Sequence, residues 1–275
     1  MRPDLDRPCR IMVAPNGARR TKADHPALPM TPVEVAATAA ACREAGADSI
    51  HLHARDGKGR HTLAKHVYDS YMTHVRRAVG SSMRIQITTE AVGRYTPVQQ
   101  MQAVRDIRPD EVSLAIREII PDEAHESEAA AFLAWLHEQE IEPQFILYSP
   151  DEIRRFHDLC RRGIVAGDAP SVIFVLGRYL DAGEAVEPRA LMDYLAAYES
   201  SGIGAPAGRW MVCAFGREET ACLTMSACLG GDIRVGFENS LWLGNGRIAE
   251  SNEAKVDEIR QLVDSVGRAR FARSA

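Results

Sequence analysis

No stretch of this chain stays apolar for the ~20 residues that a membrane-spanning helix needs. The N-terminal run Met1-Arg2-Pro3-Asp4-Leu5-Asp6-Arg7-Pro8 has no apolar core of the kind that directs export, so none is expected. Basic charge is not in excess either. The formal net charge is −5, which argues against a nucleic-acid-binding surface and is too mild for an acidic tail. The six cysteines (Cys9, Cys42, Cys160, Cys213, Cys222, Cys228) contain no Cys-x-x-Cys pair. Several lie in apolar runs, where a thiol packs as a small hydrophobe. A reducing, cytoplasmic setting is the simplest expectation. Also missing are a P-loop, a nucleophile elbow, a His-Glu-x-x-His pair, any internal repeat and any Pro/Ser-rich linker.

What is present is ordinary globular composition, 45% hydrophobic and 26% charged over 275 residues, ample for a core. Short β-like runs alternate with longer helix-like runs. The first strand, Cys9 to Ala14, ends in the turn Pro15-Asn16-Gly17. Thr31-Pro32-Val33-Glu34 then opens a helix with an N-cap, a proline at the first position and an acid in the first turn. That helix stops at Gly46. Further strands are read at Ser49–His53, Arg84–Thr89, Glu111–Leu114, Gln144–Tyr148, Ser171–Val175, Arg209–Cys213 and Asp232–Gly236, with helices between them and a closing helix from Glu253 to Val266. Strict alternation implies a parallel sheet. Eight units in this length predict a single-domain α/β structure, a closed (β/α)8 TIM barrel, with 1–8 an N-terminal extension and 253–275 a closing helix and tail. An open doubly wound sheet is the alternative, and its first βα turn would carry Gly-x-Gly-x-x-Gly, which this chain lacks.

The barrel places chemistry at the C-terminal ends of the strands. In Ile50-His51-Leu52-His53 the two imidazoles alternate with aliphatic residues, so both point to one face of an extended strand. They are placed to share a metal ion, or to be hydrogen-bonded in a polar barrel interior. Other strand ends bring Thr88, Thr89 and Glu90, Arg117 and Glu118, Tyr148 and Ser149, Gly177-Arg178-Tyr179, and Phe215-Gly216-Arg217. The last strand supplies Arg234, Glu238 and Asn239. Two histidines and one carboxylate with open positions make a catalytic zinc site, and the same trio suits non-haem iron(II). The alternative reading of Glu238 is a turn carboxylate or the partner of Arg234. Arg234 is a candidate fork for a substrate carboxylate. His25 lies in a loop able to fold over the mouth, whereas His61, His66, His74, His137 and His157 are read as surface residues. Cys213, at the end of the seventh strand, is read as a core thiol rather than a nucleophile.

The chain resembles the β-keto acid cleavage enzyme family almost end to end. The matching pieces are Thr21-Lys22-Ala23-Asp24-His25-Pro26-Ala27-Leu28-Pro29 with Thr31-Pro32, and Glu44-Ala45-Gly46-Ala47 leading to Ile50-His51-Leu52-His53. Gln86-Ile87-Thr88-Thr89, Phe174-Val175-Leu176-Gly177, Gly236-Phe237-Glu238 and Ile248-Ala249-Glu250-Ser251-Asn252 follow in order. The resemblance implies a barrel, usually a homotetramer, with one Zn2+ on His51, His53 and Glu238. It implies a Claisen-type exchange of a β-keto acid with the co-substrate acetyl-CoA, giving acetoacetate and a new acyl-CoA. An arginine and an acid beside the zinc glutamate serve carbanion formation, and Arg234 and Asn239 stand at those positions. Thr88 matches a hydroxyl residue that contacts substrate, with Thr89 beside it. Three positions depart from a described member. Asn239 replaces an aspartate and cannot act as a base. Arg19 stands near a glutamate that faces a substrate ammonium, and Glu118 replaces a small hydroxyl residue. Arg19 favours an anionic substrate tail, while Glu118 favours a cationic one or pairs with Arg19. That member's ammonium-bearing substrate is therefore not carried over. Without the resemblance, a metal-dependent hydrolase, an aldol-type lyase or a non-catalytic acid-binding barrel fits the same trio.

Overall fold

A computed structural model describes residues 5–167, 169–179, 185–201 and 208–269. Residues 1–4 of the expected N-terminal extension and 270–275 of the expected tail lie outside it. Eight parallel strands close into a barrel in chain order: β1 (Ile11–Val13), β2 (Ser49–Leu52), β3 (Arg84–Thr88), β4 (Glu111–Ala115), β5 (Glu142–Leu147), β6 (Ser171–Leu176), β7 (Trp210–Ala214) and β8 (Asp232–Val235). The ring closes where Met12 of β1 pairs with Arg234 of β8. The helices are α1 (Pro32–Ala45), α2 (Lys65–Val79), α3 (Pro97–Ile107), the single-turn α4 (Ile116–Ile119), α5 (Glu126–Glu138), α6 (Pro150–Arg161), α7 (Leu191–Ser201), α8 (Glu219–Cys228) and α9 (Asn252–Ser265). This is the expected (β/α)8 barrel. No helix among the described residues is long and apolar enough to cross a membrane.

The helix ends follow from local chemistry. Thr31 and Glu34 form a full capping box at α1, with Pro32 at the first helical position, and Gly46 ends the helix at φ 117°. Thr96 and Gln99 repeat the device at α3. α4 carries no such signal. Its N-cap is Ala115, with no side-chain bond, and the sequence marks no helix there.

Strand periodicity divides the core in two. Outward residues such as Ile50, Leu52, Ile85, Ile87, Val112 and Leu114 join the large cluster between sheet and helices. Inward Met12, Ala115, Ile146, Ile173, Val175, Met211 and Cys213 make a separate apolar cluster inside the barrel. The β2, β3 and β8 side of the interior is instead polar, with His51, Gln86 and Arg234 all buried. Buried polar groups need partners, so this side is the informative one. Cys9, Cys42, Cys213 and Cys222 are buried, matching their reading as small hydrophobes, whereas Cys228 is exposed.

Behind the end of β8, Glu219 of α8 pairs with Lys255 of α9 at 2.7 Å, both side chains 1% exposed. Burial pushes the Glu219 carboxyl above the usual range, and Lys255 pulls it back. Its Oε1 also accepts from Asn239 Nδ2 at 3.1 Å. Removing one member of such a pair leaves an uncompensated buried charge. Lys255→Met should cost about 3–5 kcal/mol in chemical denaturation, and Glu219→Gln combined with Lys255→Met should cost less. An unchanged midpoint in the single variant would contradict this.

Candidate active site

His51 sits inside the barrel opposite Gln86 in the β2–β3 register. Its Nδ1 lies 2.7 Å from Gln86 Oε1. Gln86 Nε2 donates to Gln144 Oε1 at 3.2 Å, and Gln144 Nε2 to Ser171 Oγ at 3.4 Å. The direction of this chain fixes the imidazole tautomer: Nδ1–H donates, and Nε2 keeps its lone pair. Burial, and then the Arg234 guanidinium, push the His51 pKa down to about 3, so the ring is neutral. His51 Nε2 faces His53 Nε2 at 3.1 Å.

Glu238 completes the group from just beyond β8. Its Oε2 lies 3.7 Å from His51 Nε2 and 3.4 Å from His53 Nε2. That oxygen is buried and has no hydrogen-bond partner. Burial alone would raise the carboxyl, but Arg234, and behind it the two imidazoles, hold it well below the usual carboxylate range. Arg234 Nη2 lies 3.3 Å from both Glu238 Oε1 and Cys213 Sγ. His51, His53 and Glu238 thus each turn one ligand atom to a common point, all within 4.8 Å of one another. Two imidazole nitrogens and an otherwise unpaired buried carboxylate oxygen fit a divalent cation of the zinc or iron(II) type.

Backbone geometry holds the carboxylate there. Gly236, at φ 147°, passes so close to β1 that a Cβ would lie 2.3 Å from the Ala14 carbonyl oxygen. Glu238 N then donates to Ala14 O at 3.0 Å. From the other side Gly17, at φ 61°, packs on Glu238, where a Cβ would meet Cγ at 2.6 Å. Arg55, just beyond β2, is buried and fastens this loop. Its guanidinium donates to the carbonyls of Gly17, Arg20 (2.9 Å) and Gly59 (3.0 Å).

A small cavity of about 30 Å³ opens beside the trio, lined by His51, His53, Thr88, Glu90, Tyr148, Arg178, Phe215, Arg234 and Glu238 together with Ile146 and Val175. A second, of about 60 Å³, adjoins it beneath the loop after β1 and is lined by Arg19, Arg20 and Arg178 among others. Thr88 and Arg234 therefore face the inner space, and Arg19 the outer. Thr89 turns away, donating to Ser113 O at 3.2 Å. Glu118 accepts from Ala91 N at 2.9 Å and lines neither cavity. Burial raises its carboxyl above the usual range. Asn239 is fully buried behind Arg234, with Nδ2 bonded to Arg234 O at 3.0 Å as well as to Glu219.

The histidines need one correction. His61 is not a surface residue but is buried, its ring 5.2 Å from that of His53 and its Nε2 3.1 Å from Glu90 O. The loop after β2 folds back through an Arg55–His61 bridge, which periodicity does not foresee. His66 and His137 are exposed. His25 is buried against Phe237 and bonds Ala249 O at 2.9 Å, which ties loops together beside the mouth. Cys213 is buried and its thiol pushed up to about 11 by burial, so it is no ready nucleophile. Glu90, Tyr148, Arg178 and Phe215, named from the sequence as strand-end residues but given no role, line the cavity. Their position at strand ends was the available signal.

A closed (β/α)8 barrel with two histidines and a glutamate converging at its C-terminal mouth has the make-up of a metal-dependent barrel enzyme. A sequence model of the beta-keto acid cleavage enzyme family matches residues 8–273, and the chain belongs to that family. The 3-keto-5-aminohexanoate cleavage enzyme of Acetoanaerobium sticklandii is 26% identical over 264 residues, 94% of this chain and 92% of that protein. The 3-oxoadipate:acetyl-CoA acetyltransferase of Cupriavidus necator is 26% identical over 268 residues, 96% and 91% respectively. Among solved structures, the ternary complex of ObcA with C4-CoA adduct and oxalate superposes with a TM-score of 0.69 at 17% identity, over 90% of this chain and 65% of that one, a likeness of fold.

The Gln86 contact gives a direct test of the metal geometry. Gln86→Leu should weaken zinc binding about 10–100-fold, measured by competition with a chelating dye, while the circular dichroism spectrum is retained. Unchanged affinity would show that the His51 tautomer does not depend on Gln86.

Proposed function

We propose that the chain is a zinc-dependent β-keto acid cleavage enzyme that exchanges a β-keto acid with acetyl-CoA, giving acetoacetate and a new acyl-CoA. One observation carries the reading: the buried Glu238 Oε2, without a hydrogen-bond partner, faces two imidazole Nε2 atoms inside a family barrel. The exchange balances without an oxidant or reductant. R–CO–CH2–COO⁻ and CH3–CO–SCoA become R–CO–SCoA and CH3–CO–CH2–COO⁻.

His51, His53 and Glu238 would hold one Zn2+ per subunit. When bound, the ion would act as a Lewis acid on the keto oxygen and stabilise enolate charge. The protein's own groups supply the rest. Arg234 lines the cavity and keeps Nε and Nη1 without partners among the described residues. Those N–H groups suit a substrate carboxylate, and the charge stays fixed because the guanidinium cannot titrate away. Thr88 Oγ1 accepts from Glu90 N at 3.1 Å, which leaves its hydroxyl proton to donate into the cavity. Asn239 cannot take a proton. Its bond to the Arg234 carbonyl makes it a positioning residue for that guanidinium. The family resemblance adds a homotetramer and a cytoplasmic location to this reading, and sedimentation velocity checks the former.

The zinc-loaded protein, incubated with acetyl-CoA and a panel of β-keto acids, should form acetoacetate only when acetyl-CoA is present. Absence of acetoacetate from every keto acid, with zinc bound, would contradict the proposal. His51→Ala should lose metal and turnover together, and stoichiometric zinc in that variant would contradict the ligand set. Arg234→Lys should keep its zinc yet lose about a hundredfold or more in turnover, since a point charge does not replace a planar fork. Normal turnover would remove Arg234 from the mechanism.

A further inference from the structure

The outer cavity differs from the inner one in charge. Three guanidinium groups line it, those of Arg19, Arg20 and Arg178. Among the described residues, Glu90 and Glu238 are the carboxylates on its wall, and Glu238 belongs to the metal trio. Arg20 is committed to backbone, donating to the carbonyls of Phe237 and Asn239. Arg19 is exposed and has no hydrogen-bond or ion-pair partner among the described residues. Arg178 lies over the Phe215 ring at 4.7 Å and meets Glu90 Oε1 only at 3.6 Å, longer than a good charge-assisted bond. Glu90, Arg178, Phe215 and Glu238 line both cavities. A substrate with its keto acid end at the trio therefore extends among these arginines.

A cationic tail would need a carboxylate turned into that space without a partner. Glu118 is bonded to Ala91 N and lines neither cavity; the Arg19 charge acts on it only at a distance, with no ion-pair contact between the two. Glu90 is faced by Arg178. Among the described residues the surplus is cationic, and a planar guanidinium stacked on an aromatic ring is preorganised for a carboxylate.

We propose that the substrate is a dianionic β-keto acid whose second carboxylate is held in the outer cavity by Arg19 and Arg178. The proposal rests on the exchange reaction above. Arg234 takes the carboxylate beside the keto group, and the outer pair takes the one at the far end. The loose Arg178–Glu90 contact gives way to a shorter bond with the substrate. The acyl-CoA product then carries a free terminal carboxylate, so the reaction that consumes it must accept an ω-carboxyacyl thioester.

The test compares kcat/KM for a β-keto diacid with that for a neutral β-keto acid of equal length, at saturating acetyl-CoA. Wild-type protein should prefer the diacid by about tenfold or more. Arg19→Ala and Arg178→Ala should each cut that preference about fivefold or more, through the KM of the keto acid, and Glu90→Gln should raise it. A saturated dicarboxylate should also inhibit the wild type at least about tenfold more tightly than a monocarboxylate of equal length, a comparison that needs no active variant. Equal kcat/KM for the two acids would overturn the proposal while leaving the exchange reaction standing. So would arginine variants whose defect appears in the KM of acetyl-CoA, since the guanidiniums would then be holding its phosphates. Absence of acetoacetate from both acids in the zinc-loaded wild type would overturn both readings together.

Discussion

The site depends on one electrostatic constraint: a carboxylate oxygen, Glu238 Oε2, is kept ionised and unbonded inside the protein, facing the Nε2 atoms of two imidazoles. A bare carboxylate buried in this way is costly. Arg234 offsets that cost on the Oε1 side, and a cation bound among the three ligand atoms would do so on the other. His51 must present a lone pair and not a proton, which is why its Nδ1 is bonded to Gln86 and why burial of the ring matters. The polar side of the barrel interior exists to satisfy these conditions, and the opposite side is free to be apolar.

Holding Glu238 is largely a backbone task. The chain leaving β8 crosses β1 at a glycine where no Cβ fits, and the turn after β1 presses back through a second glycine. Both loops are then fastened by side chains with no chemistry of their own. Arg55 gathers carbonyls from the β1 loop, while the Glu219–Lys255 pair holds Asn239 behind Arg234. The catalytic mouth is thus stiffened from outside by one buried cation and one buried ion pair. The outer space, where Arg19 stands without a described partner and Arg178 is loosely paired, is left open for recognition.

The barrel was legible because short β runs alternate with helical runs along the chain and several helices are announced by a cap, as at Thr31 and Thr96. The His51–His53 pairing was legible for the same reason, and the position of Glu238 after the closing strand followed from counting strands. Gln86, Glu219 and Lys255 were not, since a buried polar residue looks like an exposed one until its partner, dozens of residues away, is folded beside it. His61 misled because its loop returns to the mouth through a bridge with Arg55 that carries no periodic signal. Thr89 and Glu118 stand at the expected strand ends but point elsewhere, since strand counting gives a residue's height in the barrel but not the hydrogen bond that captures its side chain. Asn239 shows the limit of positional matching. Its place next to the metal glutamate is that of a catalytic acid, yet its amide faces a buried carboxylate behind the site.

The most direct measurement of the central claim is the X-ray absorption spectrum of the zinc-loaded protein at the metal edge. The expected result is one ion per chain with a nitrogen and oxygen shell at about 2.0–2.2 Å, the multiple scattering of two imidazoles, and no sulfur. A thiolate shell at about 2.3 Å, which only a cysteine such as Cys213 could supply from this side of the barrel, or a spectrum without imidazole scattering, would contradict it.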